Sequence, residues 1–260
     1  MMKRRRTLLA CALIMTSKWS TAQAASRVAL VIGNAAYTDA PLRNPVRDMR
    51  EVAATLREIG FSVMARENLA LDPLREALRS FVLGTRTADV RLVYFAGHGF
   101  QLRGRNYLVP VASKIENETH VLERTADATE LIEQLGAVGR GANIVIIDAC
   151  RVHPLFAPGT RRMWAVKPGQ APASAPVGTV VAFSTRPDQV ALDGGGVLGI
   201  YARHLSREIK RAPGAPVEQL FKRVRAGVSA ETGNRQVPWE SSDLNGELCL
   251  RPAVGGQCDP

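Results

Sequence analysis

Residues 91–96 read RLVYFA and run directly into Gly97-His98-Gly99. Residues 142–147 read ANIVII and run into Asp148-Ala149-Cys150. A short apolar run rich in β-branched residues, ended by glycine or a polar cluster, is the pattern of a strand buried in a parallel sheet. In open parallel α/β sheets, sites form at the carboxyl ends of such strands. Two different strands therefore bring an imidazole and a thiol to one sheet edge. That is the minimum for a cysteine–histidine nucleophilic pair, in which the imidazole generates or stabilises the thiolate. His98 alone reads as a satisfied core histidine, and Cys150 alone as a small buried hydrophobe. It is the two together, each just past a strand, that point to catalysis.

The flanking sequence supplies the rest of such a sheet. Residues 27–33 (RVALVIG) read as the first strand. Residues 47–59 carry apolar positions at helical spacing and stop at Gly60. A second strand is expected at 61–64. A helix starting with Asp72 at its cap and Pro73 in its first turn runs to about residue 83. After the His98 strand, 107–111 reads as short and extended, 129–138 as a helix, and then the Cys150 strand follows. Residues 152–177 have no period and are rich in Pro, Gly, Ala and Ser, the signature of a long exposed loop. Residues 179–183 form a further strand, 199–210 and 217–228 helices, and 248–250 a last short strand closing the sheet. The fold class is α/β, a three-layer sandwich with a mostly parallel central sheet flanked by helices.

Residues 1–24 are set apart from this domain. A basic start (Lys3 to Arg6), a short apolar stretch and Ala22-Gln23-Ala24 read as a secretory signal peptide. No other segment reaches about 18 apolar residues, so no integral membrane span is expected. The expected product is a secreted, periplasmic protein with its domain over 26–250 and a tail over 251–260. Of the formal charge of +10, half leaves with Lys3, Arg4, Arg5, Arg6 and Lys18. No basic run is interleaved with aromatics, so nucleic acid is not an expected partner. Cys150, Cys249 and Cys258 remain after cleavage. An odd count in an oxidising compartment suggests one pair and one free thiol. Cys249 and Cys258 are close enough to close a small loop and leave Cys150 free; the other reading leaves all three unpaired.

Six stretches then resemble the caspase-like cysteine peptidases, in family order along nearly the whole chain after the leader. They are VALVIGN (28–34), NPVRD (44–48), YFAGHGFQ (94–101), NYLVP (106–110), IDACR (147–151) and PWESSDLNG (238–246). Within that group the chain is similar to the bacterial metacaspase and orthocaspase branch. The resemblance implies a caspase-hemoglobinase fold and endopeptidase chemistry with His98 and Cys150 as a dyad. It also implies an oxyanion hole from the backbone N–H groups of Gly99 and Cys150, and places Asp48 and Asp148 in the primary specificity pocket. A pocket floored by two carboxylates prefers a guanidinium or ammonium group, so protein or peptide substrates with Arg or Lys before the cut bond are expected. As plainer readings, Asp48 is a helix-start charge favoured by the macrodipole and Asp148 a strand-end polar residue. Ser184, just past a strand, is a further candidate for the substrate groove.

Three departures from the family pattern bear on function. Ala112 stands where many relatives carry Asp, and few acids follow Cys150, so no calcium or other metal requirement is expected. Ala96 replaces a frequent Ser, which removes one polar group from the pocket wall, and Arg151 replaces a frequent His, which sides with the orthocaspases. The loop after Cys150 carries Arg161, Arg162 and Lys167, candidate self-cleavage points for a basic-specific enzyme. A monomer is expected. The competing reading is a catalytically silent caspase-like binding or signalling module of the cell envelope.

Overall fold

The computed structural model describes residues 25–150, 175–186, 196–253 and 258, with Cys150 by its main chain. The leader and residues 152–174, with the three candidate self-cleavage points, lie outside the described residues. The chain runs β1 (Arg27–Gly33), α1 (Pro45–Glu58), β2 (Ser62–Glu67), α2 (Leu71–Gly84), β3 (Val90–Leu102), β4 (Arg105–Leu108), α3 (Glu118–Arg124), β5 (Ala126–Asp127), α4 (Ala128–Gly136), β6 (Ala142–Cys150), β7 (Thr179–Phe183), α5 (Ile200–Arg211), α6 (Val217–Glu231) and β8 (Trp239–Ser242). The main sheet has the order β2-β1-β3-β6-β7-β8. All its pairs are parallel except β7 with β8.

The central strands alternate between two cores, as the period of two requires. Ala29, Val31, Leu92, Tyr94, Ile144, Ile146, Val180 and Ala182 pack with α1, α5 and α6. Leu30, Ile32, Val93, Phe95, Val145, Ile147, Val181 and Phe183 pack with α2 and α4. Both faces are covered by helices, which is the expected α/β sandwich. At the carboxyl end of β1 the backbone of α1 approaches so closely that a Cβ on Gly33 would lie 2.5 Å from the Pro45 carbonyl oxygen. This contact sets the start of α1, and with it Asp48, against the sheet edge.

Three sequence expectations are corrected. Residues 248–250 do not close the sheet. Cys249 makes only an isolated bridge to Pro216, and Leu248 and Leu250 serve as packing groups in the core. The closing strand is β8, antiparallel to β7. The cap of α2 is Ala70 rather than Asp72, which sits in the first turn with Pro73. Helix α3 was not foreseen; it is short and buries only Val121. Cys249 and Cys258 form a disulfide, with Cα atoms 5.5 Å apart. Arg27 donates to the carbonyls of Ile59, Cys249 and Leu250, so the C-terminal segment is tied to β1 as well as to itself.

Glu231 joins the outer surfaces of α5 and α6. It accepts from the Arg203 guanidinium and from His204 Nε2 at 2.8 Å. Arg207 donates to His204 Nδ1 at 2.7 Å, which leaves the ring proton on Nε2. Arg203 first, then His204, hold the Glu231 carboxyl down to about 2. A carboxyl whose folded pKa is depressed contributes stability above its ordinary pKa and loses it as pH falls toward the folded value. The melting temperatures of wild type and Glu231→Gln should therefore differ at pH 7. They should converge between pH 4.5 and about 2.

Candidate active site

His98 and Cys150 are the last pair of the parallel β3–β6 ladder. Beyond them β3 leaves β6 and continues into an antiparallel hairpin, where Gly99 pairs with Leu108 of β4. His98 thus stands where β3 changes partners. Its side chain is 3% exposed. Its Nε2 lies 2.7 Å from the Ala40 carbonyl oxygen. A carbonyl has no proton to give, so Nε2 carries the hydrogen, and in the neutral ring Nδ1 is the basic nitrogen.

The loop after β1 holds this histidine. The Asn34 N–H donates to the Ala96 carbonyl at 2.9 Å. The Tyr37 ring lies 4.3 Å from the His98 ring, inclined by 51°. The His98 backbone N–H donates to the Tyr37 hydroxyl at 2.9 Å. That hydroxyl in turn donates to the Val109 carbonyl at 3.0 Å. A Cβ on Gly97 would lie 2.5 Å from the Tyr37 oxygen, so only glycine permits this approach.

A second group of polar side chains stands on the α1/α5 face of the sheet beside the histidine. Asp48, in the first turn of α1, is 4% exposed. Its Oδ1 accepts from the Gly199 N–H at 2.7 Å. Gly199 is the N-cap of α5, so Asp48 caps a helix other than its own and takes the favourable end of that dipole. Tyr94 of β3 donates its hydroxyl to Asp148 Oδ2 at 2.9 Å. Burial raises the Tyr94 phenol well above its ordinary range, and the charges of Asp148 and Asp48 push it further. Tyr201 of α5 is raised by burial first, then by Asp148 and Glu240. Both phenols remain protonated. Asp48, Asp148 and Glu240 thus all bear on one pair of buried tyrosines. Glu240 of β8 is itself raised by burial, against the pull of Arg225, whose Nη2 lies 2.8 Å away.

Of the residues expected from sequence, the structure brings the charges of Asp48 and Asp148 to bear on Tyr94, with His98 further along the same strand at the last β6 pair. Gly99 is the first residue of β3 beyond the β6 pairing. Ser184 lies past β7, with its N–H on the Ile147 carbonyl and its own carbonyl accepting from Gln236 Nε2. It is fully buried, as is Thr185, and neither hydroxyl has a partner among the described residues. Tyr37, Ala40, Tyr94, Tyr201 and Glu240 were not foreseen. A tyrosine within a buried strand, as at Tyr94, is a signal, because its hydroxyl must find a partner. Tyr37 and Ala40 come from a loop and Glu240 from a polar edge strand, both without period, while Tyr201 lies in the first turn of α5 where its spacing marks it only as a core residue. A cavity of about 400 Å³ among α2, α3 and α4, lined by Arg75, Tyr107, Asp127 and Glu130, lies on the other face of the sheet.

Comparison with known proteins gives a consistent result. A protein-family model described as the caspase domain (Peptidase C14) matches residues 26–249. Mucosa-associated lymphoid tissue lymphoma translocation protein 1 of Homo sapiens is 30% identical over 129 residues, which is 49% of this chain and 15% of that protein. Its Mus musculus homolog is 29% identical over 129 residues, again 49% and 15%. Caspase-1 of Sus scrofa is 26% identical over 132 residues, 48% of this chain and 31% of that protein. The matched region spans less than a third of the length of each of these relatives.

The Tyr94–Asp148 bond can be tested alone. A hydrogen bond to a charged acceptor contributes about 1.5–3 kcal/mol. Tyr94→Phe should lower the unfolding free energy in urea by an amount in that range. The same substitution on an Asp148→Asn background should cost less, because an amide oxygen accepts the bond without the charge.

Proposed function

This chain belongs to the caspase domain family, and from that membership we propose an exported cysteine endopeptidase that cuts after Arg or Lys, with His98 and Cys150 as its dyad. The observation that carries the reading is the β3–β6 register, which makes the backbones of these two residues immediate neighbours at the carboxyl edge of the sheet. The Cys150 thiolate adds to the scissile carbonyl carbon. The C–N bond then breaks as His98 delivers a proton to the leaving amine. Water, activated by the same imidazole, hydrolyses the thioester and regenerates the thiol. Because the Ala40 carbonyl holds one proton on Nε2, Nδ1 is the nitrogen that takes the thiol proton and later gives it to the leaving amine. The Gly99 and Cys150 N–H groups are proposed as donors to the developing oxyanion, a role that contributes about 3–4 kcal/mol per donor.

Specificity for a basic side chain is supported by charge. The charges of Asp48 and Asp148 both bear on the Tyr94 phenol, and the two carboxylates are proposed to share the wall of the specificity pocket. Carboxylates held in a partly dehydrated wall gain most from a cation that replaces lost water. A guanidinium or ammonium group does so, whereas an acidic side chain meets like charge. Asp148, exposed more than Asp48, is proposed as the direct contact. Asp48, with one oxygen on the Gly199 N–H, supplies field and shape. Export follows from the leader-like sequence of residues 1–24. Calcium independence follows from Ala112.

Hydrolysis of matched fluorogenic peptides ending in Arg, Lys or Asp tests the proposal, run with reductant and with and without chelator. Cleavage after Arg and Lys is expected, undiminished by chelator. Cys150→Ala should reduce it by at least about 10³-fold. Asp148→Asn should lower kcat/KM for the basic peptides by roughly 100-fold. Cleavage after Asp would overturn the pocket assignment. Absence of all cleavage, with Cys150 unreactive toward a basic chloromethyl ketone, would favour the silent binding module.

A further inference from the structure

In an antiparallel hairpin, residues that face one another as a hydrogen-bonded pair exchange two N–H···O bonds. Register extends the β3–β4 hairpin from Gly99–Leu108 to His98–Val109. One of the two bonds of that pair is direct, from the Val109 N–H to the His98 carbonyl at 3.0 Å. The other is not. The His98 N–H donates instead to the Tyr37 hydroxyl at 2.9 Å, and the hydroxyl passes the bond on to the Val109 carbonyl at 3.0 Å. A side chain from the loop after β1 is therefore inserted into the ladder at the residue that carries the imidazole.

Its effect reaches the ring as well as the backbone. The same loop contacts β3 at three successive points. Asn34 binds the Ala96 carbonyl, Tyr37 binds the His98 N–H, and Ala40 binds His98 Nε2. The Tyr37 ring lies against the imidazole. Asn34 secures the loop in turn, since its Nδ2 donates to the carbonyls of Leu69 and Val109 and its Oδ1 accepts from the Leu69 N–H. Tyr37 is 6% exposed, within an apolar group that includes Phe100, Tyr107 and Val109. The hydroxyl also meets the Asn34 side chain, which is itself fixed on Leu69 and Val109, so loop and ladder together hold the bridge in one arrangement. Gly97 gives the room for it.

We propose that Tyr37 is a positioning residue for the dyad: its hydroxyl, wedged between His98 and Val109, sets the backbone of His98 at the point where β3 leaves β6 and thereby aims the imidazole. The proposal rests on the dyad reading above. Its mechanism is geometric. Without the hydroxyl, the His98 N–H either closes directly on Val109 or stays buried without an acceptor. Either outcome moves the ring relative to Cys150, and misplacement of a general base by a fraction of an ångström lowers the rate steeply. Tyr37 acts through His98, by the bond to its backbone N–H and by the ring packed against the imidazole.

The test is Tyr37→Phe in the full chain, with Cys150→Ala as the reagent blank. Two readouts are taken. In peptide hydrolysis, kcat should fall roughly tenfold while KM stays within about twofold, the pattern of lost transition-state alignment. In iodoacetamide alkylation of Cys150 followed against pH, the midpoint should move upward toward that of an ordinary thiol, because a displaced imidazolium stabilises the thiolate less. Gly97→Ala disturbs the same hydroxyl from the other side and should move the midpoint in the same direction, which covers the case of a poorly folded Tyr37→Phe. An alkylation profile that superimposes on wild type in a cooperatively melting variant would overturn the proposal, even if the melting temperature drops. If wild type cleaves no basic peptide but the profile still shifts, the endopeptidase reading fails and the positioning role stands.

Discussion

The parallel ladder between β3 and β6 is the constraint on which everything else depends. It runs without a break from Val90–Ala142 to His98–Cys150. Because side chains alternate faces with a period of two, a slip of one residue would move Tyr94 and Asp148 to opposite sides of the sheet. It would also drive each apolar set of the slipped strand into the core fitted to the other. Two buried cores, one on each face, therefore lock the register, and the register carries the His98 and Cys150 backbones to the same edge. Hydrophobic burial on both faces, rather than any contact within the site, fixes this placement.

The site also stores negative charge in a wall that has lost part of its water. Isolated buried carboxylates are strongly disfavoured. Here each is compensated differently: Asp48 by the N–H at the start of α5, Asp148 by the Tyr94 hydroxyl, and Glu240 by Arg225. Helix α5 links two of these, since its first residues cap Asp48 and its Tyr201 senses both Asp148 and Glu240. The arrangement holds the acids in fixed positions, as the proposed selection of a basic side chain requires.

The loop between β1 and α1 has a comparable role for the histidine. It has no regular structure, yet Asn34, Tyr37 and Ala40 each contact β3 or its hairpin. Loops carry function when a rigid scaffold anchors them at several points. Here the anchors are the close approach of β1 to α1 at Gly33 and the bonds of Asn34 to Leu69 and Val109.

Much of this was legible in the sequence because it is written in local patterns. The β-branched runs of β1, β3, β6 and β7, and the helical spacing of α1, α5 and α6, identified a helix-covered parallel sheet. The glycine and polar residues that end the apolar runs of two of those strands singled out His98 and Cys150 as candidates. Strand β8 was missed because WESS has no apolar alternation. Residues 248–250 were misplaced because leucines that pack on a core look the same, one at a time, as leucines in a strand. The sequence by itself thus determined the fold class and singled out the two residues proposed as the dyad, since burial demands periodicity and periodicity is local. Only the tertiary structure decided that Asp48 caps a helix about 150 residues later, that Tyr94 meets Asp148, and that Tyr37 enters the ladder at His98. Those are single hydrogen bonds between distant segments. No period along the chain encodes them, because the packing of whole elements sets their geometry.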